Sequence, residues 1–330
     1  MTNTGENAIF KELQTFLEEE KVLSVIIPSY NEELNIELAA ETVIKLLKNE
    51  NISCELIFID DGSKDKTYEK ICECAEKYDE VKGLTFSRNF GKEAAIYAGL
   101  KEAKGDCAVI LDCDLQFPPE KIIEMHSLWQ DGFEVIEGVK SDRGNEGFFY
   151  KLFAKSFYKM MSYFIGVDMQ STSDFKLIDR KVIDTLLSLP ERNTFFRALS
   201  FWSGFKSTQV EFQVRDRANG KSKWSLKGLT KYAISNVTSF TTAPLQLITV
   251  FGSILLLFLG GMSVQTLVRF LLGQSAEGFT TVILLLLLIG GSLMMALGII
   301  GYYIARIYEE VKGRPRYIIS KKTKEEKENK

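Results

Sequence analysis

Between Leu23 and Leu111 short apolar runs alternate with longer amphipathic ones. Leu23 to Pro28 is apolar and β-rich and closes on a proline, the pattern of a buried strand that stops at a turn. A helix is predicted from Glu33 to Lys48, a strand from Glu55 to Ile59, and a helix from Lys66 to Tyr78. Val81 to Phe86, Lys92 to Glu102 and Cys107 to Leu111 continue the strand-helix-strand order. Such alternation predicts an α/β domain built on a mainly parallel sheet with helices on both faces.

The pattern then changes. Asn236 to Val268 holds no charged residue, and its apolar core, Leu245 to Leu267, is long enough to span a bilayer, which takes about 20 residues. Gly278 to Ala305 is a second uncharged run, and its Gly290-Gly291 pair suits close helix approach in a membrane. Lys221, Lys223, Lys227 and Lys231 precede the first run, and Arg306, Lys312, Arg314, Arg316, Lys321 and Lys322 follow the second. The positive-inside rule puts both flanks in the cytosol, so a hairpin anchor with a cytoplasmic head is expected. The division expected is a polar segment 1–20, a head 21–235, two spans within 236–306 and a basic tail 307–330. Phe148 to Ile165 and Leu226 to Phe240 read as interfacial helices; the first sets Lys151, Lys155 and Lys159 on one face, a pattern that an ordinary core-packed helix would share.

Charge and composition narrow the chemistry. A net charge of -3 argues against a nucleic-acid partner. The five cysteines, Cys54, Cys72, Cys74, Cys107 and Cys113, show no CxxC pair, which suits a reducing compartment. His126 is the single histidine, so histidine metal clusters and His-based triads are nearly excluded and acid-base work falls to carboxylates. The first 20 residues include Glu18, Glu19 and Glu20 and no apolar stretch, so no secretory signal is expected.

In sheets of this kind ligands collect beyond the carboxyl ends of the strands. Two acidic turns fall there, Asp60-Asp61-Gly62-Ser63 and Asp112-Cys113-Asp114, whereas the first strand runs into Pro28-Ser29-Tyr30-Asn31-Glu32 rather than a glycine-rich dinucleotide loop. Mg2+ usually takes one or two protein carboxylates and completes its shell from water and substrate phosphates, which Asp112 and Asp114 would suit. Turn and helix caps would give the same short pattern.

These residues, with Ser87-Arg88-Asn89-Phe90-Gly91-Lys92, Ser173-Asp174-Phe175, Arg215-Asp216-Arg217 and Gly220-Lys221-Ser222-Lys223-Trp224, resemble the family 2 glycosyltransferases of GT-A fold. The likeness runs from about Val22 to Ile318 and is to the polyprenyl-phosphate branch: bactoprenol glucosyltransferases and dolichol-phosphate mannose synthases. The two apolar runs favour the bactoprenol group. The resemblance implies a GT-A nucleotide-sugar-binding domain followed by a two-helix transmembrane hairpin, in a multi-pass plasma-membrane protein. By it, Pro28, Tyr30, Glu32 and Asp60 hold the nucleotide, and Lys92 and Arg88 neutralise phosphate. Asp112 and Asp114 serve the Mg2+ or Mn2+ diphosphate site, and Asp174 is the catalytic carboxylate beside the acceptor. Arg143, Arg215, Arg217, Ser222 and Lys223 are the candidates for the acceptor phosphate, arginine offering a two-pronged fork to phosphate oxygens.

The implied reaction is inverting transfer from a nucleotide-sugar, UDP-glucose foremost, to polyprenyl phosphate. A homo-oligomer, a flippase and a downstream transferase are the implied protein partners. Two other readings compete. A processive polysaccharide synthase would carry a QxxRW motif and more spans, but Phe195 to Trp202 lacks that motif. A silent nucleotide-binding scaffold would not be expected to keep Asp112, Asp114 and Asp174 together.

Overall fold

The computed structural model describes residues 21–141, 173–190, 196, 203–213, 243–273 and 278–323. Strands β1 (Leu23–Ser29), β2 (Cys54–Asp60), β3 (Val81–Phe86) and β4 (Cys107–Ile110) alternate with helices α1 (Ile36–Asn49), α2 (Thr67–Lys77) and α3 (Lys92–Glu102). Then come α4 (Lys121–Gln130), β5 (Val135–Lys140), β6 (Lys176–Asp179), α5 (Arg180–Ser188) and β7 (Ser207–Phe212). Two long helices follow, α6 (Ala243–Leu271) and α7 (Phe279–Val311), before a last strand β8 (Ile319–Lys322).

The eight strands form one mixed sheet in the order β7-β5-β6-β4-β1-β2-β3-β8. Its centre, β4-β1-β2-β3, is parallel, as the alternation predicted. β6 runs antiparallel to both β4 and β5, and β8 antiparallel to β3. Period-two alternation divides β1 between the two faces. Leu23, Val25 and Ile27 join Leu56, Phe58, Cys107 and Val109 under α1, α2 and α4, while Ile26 faces Gly99 of α3 across the opposite surface. A β-carbon at Gly99 would overlap Ile26, so the glycine lets α3 lie close against the sheet.

Proline is tolerated in central β1 for a local reason. The Ile26 carbonyl accepts from Leu111 N, so the next residue with the same orientation, Pro28, turns its missing N–H toward β4. The β1–β4 ladder has already ended at the Ile26–Ile110 pair, and no bond is lost.

At the other end of the sheet Glu55 is 7% exposed. Its carboxylate accepts from Ser24 Oγ at 2.7 Å, Lys104 N at 2.6 Å and Gly105 N at 3.2 Å, and lies 3.1 Å from Lys82 Nζ. It thereby fixes the turn between α3 and β4. Arg180 locks the same turn by donating to the carbonyls of Ala103 and Gly105.

Two compact units divide the chain: residues 1–223 with 315–330, and residues 224–314. In the second, Ile248–Leu271 and Leu285–Val311 are long and apolar enough to cross a membrane. At 1.5 Å per residue they reach about 36 Å and about 40 Å, against a hydrocarbon core of about 30 Å. Their apolar side chains, Leu256, Leu257 and Met294 among them, are exposed. The helices extend past Arg269 and Arg306, where the uncharged runs ended. The tail after α7 supplies β8, which the basic sequence did not suggest. The stretches read as interfacial helices lie outside the described residues.

Burial pushes the Glu55 carboxyl up, but hydrogen bonds from Ser24 and the Lys104 amide, with Lys82, outweigh it and hold the pKa below its ordinary value of 4.5. A depressed carboxyl pKa contributes stability that is present above 4.5 and lost as pH falls through the folded-state value. Glu55→Gln should therefore cost about 2 kcal/mol at neutral pH. Thermal unfolding in detergent should show the gap from wild type narrowing as pH drops below 4.5.

Candidate active site

The carboxyl ends of β1 and β2 are stitched into one unit. Asn31, at φ 53°, donates its N–H to Ser63 Oγ at 2.8 Å and accepts from Lys64 N at 2.9 Å. Glu32 N donates to Thr67 Oγ1 at 2.9 Å, and the Glu32 side chain accepts from Asn35 Nδ2 at 2.7 Å. Pro28, Tyr30 and Glu32 are all half-buried along this rim.

The adjacent aspartates at the end of β2 do different work. Asp60 is 2% exposed; it accepts from Ser63 N at 3.0 Å, closing the turn, and from Thr85 Oγ1 at 2.5 Å, tying β2 to β3. Asp61 reaches the next loop, accepting from Phe90 N at 2.6 Å and Gly91 N at 2.9 Å. Burial raises the Asp61 pKa, and these two amides oppose the shift. The sequence marks both aspartates as one acidic turn, and the resemblance gives a nucleotide-holding role to Asp60 alone. Arg88, read as a phosphate cation, lies over the Phe90 ring at 4.1 Å and donates to Asn89 O at 3.3 Å.

That loop leads into Lys92, the first residue of α3. Lys92 Nζ lies 2.6 Å from Asp112 Oδ1 and 2.9 Å from Asp174 Oδ2. One ammonium thus joins a residue just beyond β4 to one just before β6. Asp174 is 5% exposed, and Ser173 beside it donates to Gly138 O at 2.6 Å. Below it Lys176 and Glu137, both almost wholly buried, pair at 3.1 Å. Asp114 accepts from Gln116 N at 3.2 Å in a turn where Leu115 takes a φ of 54°.

Asp112 and Asp114 are the carboxylates expected from the sequence to serve a divalent cation, and Asp112 is met here by the Lys92 ammonium. Among the described residues no group of three His, Cys, Asp or Glu could hold a metal. A pair suits Mg2+ or Mn2+ that completes its shell from a nucleotide diphosphate. Arg143, Arg215, Arg217, Ser222 and Lys223 lie outside the described residues.

A mixed sheet with a parallel centre and acidic turns at the carboxyl ends of its strands is a GT-A-like arrangement. The chain belongs to the family described as Glycosyl transferase family 2, whose profile matches residues 24–187. YkcC of Bacillus subtilis, named an uncharacterized glycosyltransferase, is 39% identical over 301 residues, covering 90% of this chain and 93% of that protein. The SfII prophage-derived bactoprenol glucosyl transferase of Shigella flexneri is 36% identical over 304 residues, covering 91% and 97%. Glucosyl-3-phosphoglycerate synthase from Mycobacterium tuberculosis, solved with Mn2+ and UDP, is similar at 20% identity over 67% of this chain and 80% of that chain, with a TM-score of 0.48.

Gly62 takes a φ of 66°, and a β-carbon there would come within 2.5 Å of the Arg88 carbonyl carbon and 2.8 Å of its Cα and oxygen. These contacts are backbone, which no side-chain rotation relieves. Gly62→Ala should destabilise the protein by about 2 kcal/mol, read as a lowered Tm in detergent; an unchanged Tm would show that the 87–92 loop yields freely.

Proposed function

We propose that this glycosyltransferase moves a sugar, with UDP-glucose as donor, onto polyprenyl phosphate, undecaprenyl phosphate being the acceptor, with inversion at the anomeric carbon. The observation that carries the reading is the Lys92 bridge. It couples Asp112, assigned to the donor diphosphate, to Asp174, assigned to the acceptor, through one side chain. The bactoprenol glucosyl transferase relatives supply the acceptor class and the sugar.

In this reading the lipid phosphate oxygen forms the new bond to the anomeric carbon as the bond to the nucleoside diphosphate breaks. A lipid phosphate is already ionised near neutral pH, so Asp174 has no proton it must remove. Its role is to orient the acceptor or a basic partner. Lys92 sits at the N-terminus of α3, where the helix dipole and the ammonium together favour developing phosphate charge. Mg2+ or Mn2+, held by Asp112 and Asp114, would supply charge stabilisation to the leaving diphosphate. Pro28, Tyr30, Glu32 and Asp60 form the nucleotide rim, and Arg143, Arg215, Arg217, Ser222 and Lys223 receive the lipid phosphate.

The head faces the cytoplasm. The chain leaves the head unit for the two apolar helices and re-enters it at Pro315, which fits two crossings with both flanks on one side. The basic residues of those flanks fit the same side.

Purified protein given radiolabelled UDP- and GDP-sugars with undecaprenyl phosphate should form a lipid-phosphate-sugar, most from UDP-glucose. Transfer should stop on chelation and return with Mg2+ or Mn2+. Asp114→Ala and Asp174→Asn should each lower it by about a hundredfold or more. Absence of any lipid-linked product from folded, nucleotide-binding wild type sinks the proposal.

A further inference from the structure

The loop that delivers Lys92 is gripped from two sides. On one, Asp61 accepts from the Phe90 and Gly91 amides. On the other stands the first chain after α7. Ser87 N donates to Ile318 O at 3.0 Å, and the Tyr317 ring stacks on Phe86 at 5.0 Å with 15° between planes. Phe86 in turn meets Phe90 edge-on at 5.7 Å, so Tyr317, Phe86 and Phe90 form a continuous aromatic run into the loop.

The same segment grips α3, the helix that Lys92 begins. The Arg316 guanidinium lies 4.3 Å from the Tyr97 ring centroid and donates to Leu189 O at 3.1 Å. Lys322 Nζ reaches Glu102, the last residue of α3, at 2.7 Å. Between these grips β8 pairs with β3, its register shifting at Thr85/Phe86 where the strand gives way to the loop. Thr323 completes the ladder, donating its N–H to Gly83 O and accepting from Gly83 N, each at 2.9 Å.

We propose that Arg316, Tyr317 and Ile318 are positioning residues for sugar transfer: they seat the 87–91 loop and α3 so that Lys92 meets Asp112 and Asp174. They act through the backbone that carries Lys92. A small displacement of that loop lengthens contacts of 2.6 Å and 2.9 Å. The inference rests on this site transferring sugar, and not on which sugar or which lipid.

The test uses full-length protein in detergent with Tyr317→Ala, Tyr317→Phe, Lys92→Ala and the Tyr317→Ala/Lys92→Ala pair. In Tyr317→Ala, amide exchange across 86–92 should quicken by about tenfold while β1 stays at the wild-type rate; Tyr317→Phe, which keeps the stack, should match wild type. Tyr317→Ala should lower kcat by about tenfold in the wild-type background and have no further effect in Lys92→Ala. Equal quickening of β1, an unchanged loop, or a full additional loss in the Lys92→Ala background would each overturn the proposal. Should Tyr317→Ala fail to fold, Arg316→Gln must produce the same loop-specific exchange. If wild type transfers no sugar to any acceptor, the reaction reading fails while the exchange comparison still decides whether the tail seats the loop.

Discussion

An ammonium at the first residue of a helix is opposed by the helix dipole, and at Lys92 two carboxylates at 2.6 Å and 2.9 Å offset that opposition. The site is arranged around that constraint. Asp112 and Asp174 come from β4 and β6, neighbours in the sheet but far apart in the chain. Lys92 comes from beyond β3, two strands away on the other side of β1, and arrives because α3 crosses back over the face that holds Ile26 and Ile59. Partly exposed ion pairs of this type stabilise a fold little, so the bridge is better understood as geometry that holds three charges at short range than as a source of stability.

The surrounding polar network has a division of labour. At the amino ends of the strands, Glu55 and Arg180 fix the α3–β4 turn with buried bonds. At the carboxyl ends, Asp60 ties strand to strand and Asp61 ties strand to loop. Two adjacent carboxylates can do both because successive residues leaving a strand point to opposite sides. The buried Lys176–Glu137 pair lies two residues from Asp174, Glu137 facing Lys176 across the β5–β6 ladder.

Much of this was legible in sequence from Leu23 to Leu111, because each central strand is apolar on both faces and ends at a turn with polar chemistry. The four-strand parallel centre and the two acidic turns at Asp60-Asp61 and Asp112-Cys113-Asp114 followed from that, whereas Asp174 was named by the family resemblance alone. The outer strands were not legible. Ser207–Phe212 is an edge strand with alternate residues exposed, and Ile319–Lys322 carries two lysines and reads as a solvated tail. Asp61 was hidden by its neighbour, since nothing local distinguishes a residue that caps its own turn from one that reaches another loop. The Lys92 bridge depends on three separate loops, which no local pattern reveals. β8 pairs with a strand more than 200 residues earlier, and only topology exposes it.

That pairing also orders events in time. β8 is the last of the described strands to leave the ribosome, and α6 and α7 precede it. Until both apolar helices have emerged, β3 presents an open edge, the state in which a sheet is most exposed to mispairing. A nascent chain halted before Pro315 would already contain Asp60, Asp112, Asp114 and Asp174, yet it would lack the strand that closes the sheet. The edge of β3 is therefore covered only after both apolar helices have been synthesised.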